Sequence, residues 1–192
     1  LFYYFLILLS IIGFGYLTSL IFRKSYQISD LGLRGLLILI LVSYTTNFFI
    51  AHSYTHNLIL LLIGLTSFLT LFFKKKLKKK NIFLTLVIFS ILFVGLLMYK
   101  NHDDFFYYHF PYTLSLITEK KIIGIGLIEH GFRTPSSLFY LNSLFYLPLI
   151  DYYLINAGAI FIMGFSNIFF LERIFNYLNE KKTDFILFLS LI

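Results

Sequence analysis

Four long apolar segments in the first half of the chain constrain its fold more than any other feature. They are residues 2–22, 31–50, 58–73 and 82–99. Each approaches the roughly 20 apolar residues that a helix needs to cross the hydrocarbon layer of a bilayer. The pattern therefore predicts an all-α fold, a polytopic transmembrane helical bundle.

The composition agrees with a membrane protein. Of the 192 residues, 13% are charged and 59% are hydrophobic, whereas soluble domains carry about 25% charged residues. The absence of Cys excludes disulfides, Cys-ligated zinc and thiol nucleophiles. The chain begins with Leu and stops within an apolar run that starts at residue 184. We therefore interpret residues 1–192 as a single membrane domain and a fragment of a longer chain.

The basic residues predict the orientation of the spans. Cytoplasmic turns are enriched in Lys and Arg, and KKKLKKK, residues 74–80, is such a turn. AHSYTHN, residues 51–57, has neither residue type and is placed outside. The expected order after residue 99 is an outer loop at 100–152, a span at 153–171, a cytoplasmic turn at 172–182 and the start of another span at 184.

The net charge of +7 does not point to nucleic acid. Six of the sixteen basic residues lie in KKKLKKK, between two apolar segments. There they act as a topology signal and attract anionic lipid. We expect a lipid bilayer as a partner, and no nucleic acid. The rich use of Phe, Ile, Lys and Asn is typical of an AT-rich genome, which favours a bacterial inner membrane.

The outer loop is expected to hold juxtamembrane amphipathic helices. Its segment SSLFYLNSLFYLPLI, residues 136–150, is too short to span a bilayer and contains Asn142 and Pro148. We interpret it as an amphipathic or partly re-entrant helix at the outer interface. The histidines of AHSYTHN, His52 and His56, are interpreted as interfacial polarity without a functional role.

The stretch NHDDFFYYHFPYTLSLI, residues 101–117, carries the candidate chemistry. Asp103 and Asp104 repel each other, so at least one gains from a cation, a proton or a basic partner. They are candidates for a general base and for ligands of a divalent cation, Mg²⁺ or Mn²⁺. The alternative is structural, because Asp is a favoured N-cap and would start a helix near Phe105.

The aromatic run FFYYHFPY also has two interpretations. Tyr and its neighbours form a belt at the headgroup level of many membrane proteins. They also form platforms for a lipid chain or a sugar face, with His109 as a polar contact. Further along, His130 and Arg133 are a candidate grip for a phosphate at the membrane surface. The alternative for Arg133 is snorkelling to the headgroups. None of the His spacings matches a zinc helix such as HExxH.

The order of these features resembles the GT-C glycosyltransferases, the superfamily of the protein O-mannosyltransferases and the lipid A aminoarabinose transferases. An outward span is followed by the pair Asp103 and Asp104, then by juxtamembrane helices and by EHGFRTPSSLFY, Glu129–Tyr140. The resemblance covers residues 82–171. It implies a polyprenyl-phosphate sugar donor, and an acidic residue that activates the acceptor or ligates a metal.

The function expected from the resemblance is transfer of a sugar to a glycan, lipid or protein acceptor on the periplasmic or exterior face, in cell-surface glycan synthesis. Asp103 or Asp104 would act as the base or hold the cation. Arg133, His130, Lys120 and Lys121 would neutralise the lipid-phosphate leaving group. The alternatives are a transporter or flippase of lipid-linked saccharides, a polymerase or ligase, and a structural subunit.

Overall fold

The computed structural model describes residues 1–22, 26–74, 77, 79–97 and 103–180. All regular elements among these residues are helical. Several residues used in the sequence argument lie outside the described part: Arg23, Lys24, Lys75, Lys76, Lys78, Lys100, His102, Lys181, Lys182 and the apolar run from 184.

Five helices are long and apolar enough to cross a membrane. They are α1 (Phe2–Phe22), α2 (Ile28–Asn47), α3 (Tyr54–Phe73), α4 (Lys79–Leu97) and α8 (Ala157–Glu180). All five overlap the apolar segments of the sequence. Helices α2 and α3 begin before the apolar segments because polar residues such as Asp30 and Asn57 continue the helical hydrogen bonding. Helix α8 begins later, since residues 152–156 form turns.

Helix α1 is the centre of the bundle, and glycines let its neighbours approach closely. A Cβ atom on Gly13 would lie 1.9 Å from the Gly64 carbonyl oxygen of α3. A Cβ on Gly15 would lie 1.8 Å from the Leu31 carbonyl oxygen of α2. Tyr4 of α1 contacts α4 and α8: its hydroxyl donates to the Phe89 carbonyl of α4 at 3.1 Å, and its ring stacks on Phe161 of α8. Small residues at such crossings are typical of helix pairs in lipid.

Residues 103–156, here called the cap, cover one end of the bundle. The cap contains a π-helical turn (Phe105–His109), α5 (Phe110–Thr118), α6 (Ile125–Ile128), a 3₁₀ turn (His130–Arg133) and α7 (Ser137–Ser143). The AHSYTHN segment lies at the same end, because the His52 N–H donates to the Leu116 carbonyl at 2.9 Å. The charge pattern placed the AHSYTHN segment and the loop after residue 99 on the same side, and the structure shows the AHSYTHN segment next to the cap.

The helix predicted at 136–150 is much shorter in the structure, and most of its residues are buried. Helix α7 ends at Ser143, and residues 144–156 form turns in which Leu149 and Asp151 have positive φ angles. Tyr140, Leu141 and Ser143 are fully buried. Helix α7 packs onto α2, α5 and α8.

Candidate functional site

A cavity of about 350 Å³ opens within the cap. It lies where the π turn and the start of α5 meet α7 and the first turn of α8. About half of the residues that line the cavity are aromatic or aliphatic, such as Phe105 and Phe139, and the rest are polar. Amides, hydroxyls and an imidazole set among aromatic rings are a typical lining for a small polar ligand. The polar lining residues are His109, Thr113, Thr134, Ser136, Asn142 and Asn156.

The π turn determines which side chains reach this cavity. Pro111 has no N–H, and in a regular α-helix its ring would clash with the carbonyl of Tyr107, four residues earlier. The chain widens here, and the Phe110 N–H donates to the Phe105 carbonyl five residues back. As a result Phe105, His109 and Phe110 all line the cavity. Single π turns inside helices are frequent at functional sites.

Asp103 and Asp104 lie just before the π turn. Asp103 is exposed and Asp104 is half-buried. Asp104 occupies the N-cap position that the sequence suggested, but its side chain makes no capping hydrogen bond. Because π-helical bonds join residues five apart, Asp104 and His109 lie on the same face of the turn. Neither aspartate is among the cavity-lining residues.

His109 is held firmly at the cavity wall. Its ring centroid lies 4.3 Å from that of Tyr108 and 5.0 Å from that of Phe139. Its carbonyl accepts a hydrogen bond from the Thr113 hydroxyl at 2.8 Å. The rest of the aromatic run divides by position: Phe106 is 66% exposed and Tyr107 is 78% exposed, whereas Phe105 is buried. The first two suit an aromatic belt, and Phe105 belongs to the cavity.

His130 and Arg133 lie in the 3₁₀ turn, and both side chains are exposed. Arg133 Nε donates to the Gly126 carbonyl at 3.0 Å, which braces helix α6. The turn packs against the π turn, because a Cβ on Gly131 would lie 2.6 Å from Tyr108. Thr134 follows Arg133 in the chain and lines the cavity. The two candidate phosphate ligands are therefore near the rim of the cavity.

The two lysines lie on the other side of α6. Lys121 Nζ lies 4.7 Å from the ring centroid of Phe48 and 5.6 Å from that of Tyr140. Its backbone N–H donates to the Asn47 carbonyl at 2.7 Å. Such an ammonium group above aromatic rings at the end of α2 stabilises the packing of the cap on the bundle. Lys120 is exposed.

A divalent cation at Asp103 and Asp104 stays a prediction. Within the described ranges, no group of three or more His, Cys, Asp or Glu residues that could hold a metal ion is found. Mg²⁺ usually binds through one or two carboxylates, keeps several waters and takes further ligands from a substrate phosphate. The chemistry of the aspartate pair is compatible with that mode of binding.

Sequence reasoning missed a buried polar cluster beneath the cap. His52 is completely buried, and its Nδ1 lies 2.7 Å from the Ser143 hydroxyl. Its ring stacks on His56 with a centroid distance of 4.9 Å. Asn57 Nδ2 donates to the carbonyls of His52, Ser143 and Tyr146 at 2.8–2.9 Å. These residues are not interfacial polarity; they fasten the AHSYTHN segment to the end of α7.

Burial fixes the protonation state of His52. Two effects lower its pKa from 6.5 to about 3: burial, which is the larger, and the proximity of His56. A hydrogen bond with the Ser43 carbonyl acts in the opposite direction. His52 is therefore neutral at physiological pH. Its role is to hold the floor of the cap in place.

Two asparagines and one aspartate were also overlooked. Asn142 and Asn156 line the cavity, and Asp151 accepts a hydrogen bond from the Tyr54 hydroxyl. Their position in the sequence could have indicated them, because all three precede the apolar run of α8 in a segment that is too polar to span a membrane. An amide in an otherwise apolar stretch such as FYLNSLF, residues 139–145, needs a partner when it is buried.

Comparisons with known proteins give no identification. No family model matches the chain, and no curated protein and no solved structure is similar to it. The resemblance to GT-C enzymes stays a prediction from the sequence.

Proposed function

We propose that this chain belongs to a membrane glycosyltransferase that moves a sugar from a polyprenyl-phosphate donor to an acceptor at the outer face of the membrane. The observation that carries the proposal is the cavity of about 350 Å³ beside the aspartate pair. It combines polar groups suited to sugar hydroxyls with aromatic walls, and it lies at the end of a bundle whose helices can span a bilayer. A lipid-linked sugar needs a polar cavity for its sugar and a bilayer for its lipid chain, side by side.

In this proposal Asp104 or Asp103 activates the acceptor. Asp104 is the better candidate because it is half-buried and shares a face of the π turn with His109. The carboxylate accepts the proton of the acceptor hydroxyl, the acceptor oxygen bonds to the anomeric carbon, and the bond from that carbon to the phosphate oxygen breaks. Arg133 and His130 at the rim, together with the lysines beyond α6, would offset the negative charge of the leaving group.

The exposed aromatic residues of the π turn would contact the isoprenoid chain. Phe106 and Tyr107 point away from the cavity and present apolar rings at the level of the bundle end. Aromatic rings at this depth favour the interface between headgroups and acyl chains. A lipid docked there would place its phosphate and sugar near the cavity.

A transporter of lipid-linked saccharides is the second candidate, and one observation favours it. One polar pair links two spans, since the Ser29 hydroxyl of α2 donates to Glu172 of α8. A second pair lies within α2, where Arg34 is 3.6 Å from Asp30. Ionisable residues in spans often mark transport pathways. These residues lie near the start of α2 and toward the end of α8, however, whereas substrate sites of transporters lie near the middle of the bilayer.

Transfer from a radiolabelled polyprenyl-phosphate sugar pool tests the proposal. The purified chain should transfer label, and Asp104→Asn should slow transfer by about 10²–10⁴-fold, as expected for loss of a general base. Asp103→Asn measures the contribution of the neighbouring carboxylate. Glu119→Gln, an exposed acidic residue at the end of α5, is the matched control and should transfer at the wild-type rate. Wild-type rates in both aspartate variants, with intact membrane insertion, would refute the assignment.

A further inference from the structure

The N-terminus of α8 opens onto the cavity. This helix has 24 residues and begins at Ala157. Asn156 and Ala159, on either side of its first residues, both line the cavity. The positive end of the helix dipole and the first N–H groups of a helix attract anions. The Ala157 N–H already donates to the Leu154 carbonyl at 2.9 Å.

Asn142 supplies an independent sign of a ligand at this place. It is only 6% exposed, and its side chain lines the cavity. Its Oδ1 accepts the Gly158 N–H at 3.0 Å, which fixes the orientation of the amide because Nδ2 has no lone pair to accept that bond. The Nδ2 group forms no hydrogen bond with the described residues. A buried amide donor facing a cavity beside a helix N-terminus is thus left for a ligand.

The local sequence is adapted to this arrangement. A Cβ atom at position 158 would lie 2.4 Å from Asn142 Oδ1, so glycine lets the amide approach the helix end. The described residues that line the cavity include no carboxylate. A negatively charged group in the cavity, next to Asn142 Nδ2 and the first turn of α8, would meet donors without facing a like charge on the wall.

We propose that the phosphate group of the lipid-linked donor binds at the N-terminus of α8, with Asn142 Nδ2 as a donor. The lipid origin of the phosphate rests on the proposed function, whereas the anion site rests on the geometry alone. In this arrangement neutral donors hold the phosphate inside the cavity, and Arg133 and His130 are left for the rim. Helix N-termini serve anionic substrate groups in the same way in membrane transporters.

Asn142→Asp separates anion binding from folding. The substitution keeps an oxygen to accept the Gly158 N–H, and the favourable interaction of a carboxylate with the helix N-terminus offsets the cost of burying it. It replaces the free amide donor by a negative oxygen that repels phosphate. Ser53→Asp is the matched control, since it adds a carboxylate at an exposed N-cap at the same end of the bundle, outside the cavity.

Isothermal titration of the full chain in detergent should use three probes: geranyl phosphate, geraniol and inorganic phosphate. We expect wild type and Ser53→Asp to bind geranyl phosphate and not geraniol. Asn142→Asp should bind it at least about tenfold more weakly, with an unchanged melting temperature. Equal affinity in Asn142→Asp and wild type, no binding by wild type, or equal binding of geraniol would overturn the site.

Three further results separate this inference from the proposed function. Inorganic phosphate bound as tightly as geranyl phosphate would keep the anion site but overturn the lipid source. Binding of geranyl phosphate without any sugar transfer would keep the site while the glycosyltransferase assignment fails. Conversely, transfer that is unaffected by Asn142→Asp would overturn the site and leave the assignment in place.

Discussion

At the scale of single residues, His52 links the fold to pH. The folded chain holds it as a neutral imidazole with a pKa of about 3, while in the unfolded chain it titrates near 6.5. Above pH 7 both states are neutral and stability does not change. As the pH falls below 6.5, the unfolded chain binds a proton that the folded chain excludes. The folded state therefore loses about 2 kcal/mol of stability by pH 5.

His52→Gln tests this pH dependence. Glutamine keeps a donor for the Ser43 carbonyl but does not titrate. The variant should be less stable than wild type at pH 7.5, and its stability should change less between pH 7.5 and pH 5. Melting temperatures in detergent at both pH values measure this, with exposed His130→Gln as the control. If the melting temperature of His52→Gln changed between the two pH values as much as that of wild type, the folded chain would not hold His52 as a buried neutral group.

The histidine cluster shows why residue roles were only partly predictable. His109 was expected to be a polar contact near an aromatic platform, and it lines the cavity beside Phe139. His52 was assigned no role because AHSYTHN looks like a polar turn. Its burial depends on Ser143, 91 residues further along the chain. Local polarity carries no information about such a distant partner.

At the scale of elements, the π turn should govern the position of the aspartates. Pro111→Ala restores an N–H and removes the ring that widens the chain, so the turn can become a regular α-helix, in which Asp104 and His109, five residues apart, lie about 140° apart around the helix axis. We expect transfer to fall to the level of Asp104→Asn, while helix content stays unchanged by circular dichroism. Thr118→Ala, at the exposed end of α5, keeps Pro111 and the register and should retain activity. Wild-type transfer by Pro111→Ala would show that the π turn does not position the site.

Close packing of α1 gives a second element-scale prediction. A methyl group on Gly13 has no room beside the Gly64 carbonyl, so Gly13→Ala should lower the free energy of unfolding by about 1–3 kcal/mol. Gly95→Ala in α4 meets nothing within 4 Å, so it should be neutral or stabilising by up to about 1 kcal/mol. Melting temperatures of both variants decide this, and an equal effect of the two would argue against tight packing of α1 on α3.

The long helices were predictable because hydrophobic length specifies them directly. The shorter elements were not. The segment 136–150 is apolar with Ser, Asn and Pro at a few positions, which fits an interfacial helix, but Tyr140 and Leu141 are buried against other helices. The π turn was signalled by Pro111 within a helical stretch, although a proline alone does not distinguish a widened turn from a helix start.

At the scale of the whole molecule, the charge pattern predicts which end of the bundle faces outward. The chain has no Cys, so single cysteines can be introduced without background. Cysteines at the exposed positions Ser53 and Thr118 should react with a membrane-impermeant maleimide on intact cells. A cysteine at Lys74 should react only after permeabilisation. Labelling of Lys74→Cys alone on intact cells would reverse the orientation.

The aspartate pair and the cavity came from different kinds of information. Asp103 and Asp104 stand out in the sequence because charges are rare there. The cavity does not, because α5, α7 and α8 form it from positions up to about 50 residues apart. Asn142 is a single amide in an apolar stretch, and only the start of α8 beside it gives it a role.

Protection of a cavity residue by the donor tests the central claim most directly. Thr134 is exposed and lines the cavity, so a cysteine there should react with maleimide in liposomes containing the purified chain. We predict that polyprenyl-phosphate sugars slow labelling of Thr134→Cys, that polyprenol does not, and that Ser53→Cys is unaffected by either. If the donor leaves labelling of Thr134→Cys unchanged, or slows both positions equally, the cavity is not the binding site of a lipid-linked sugar.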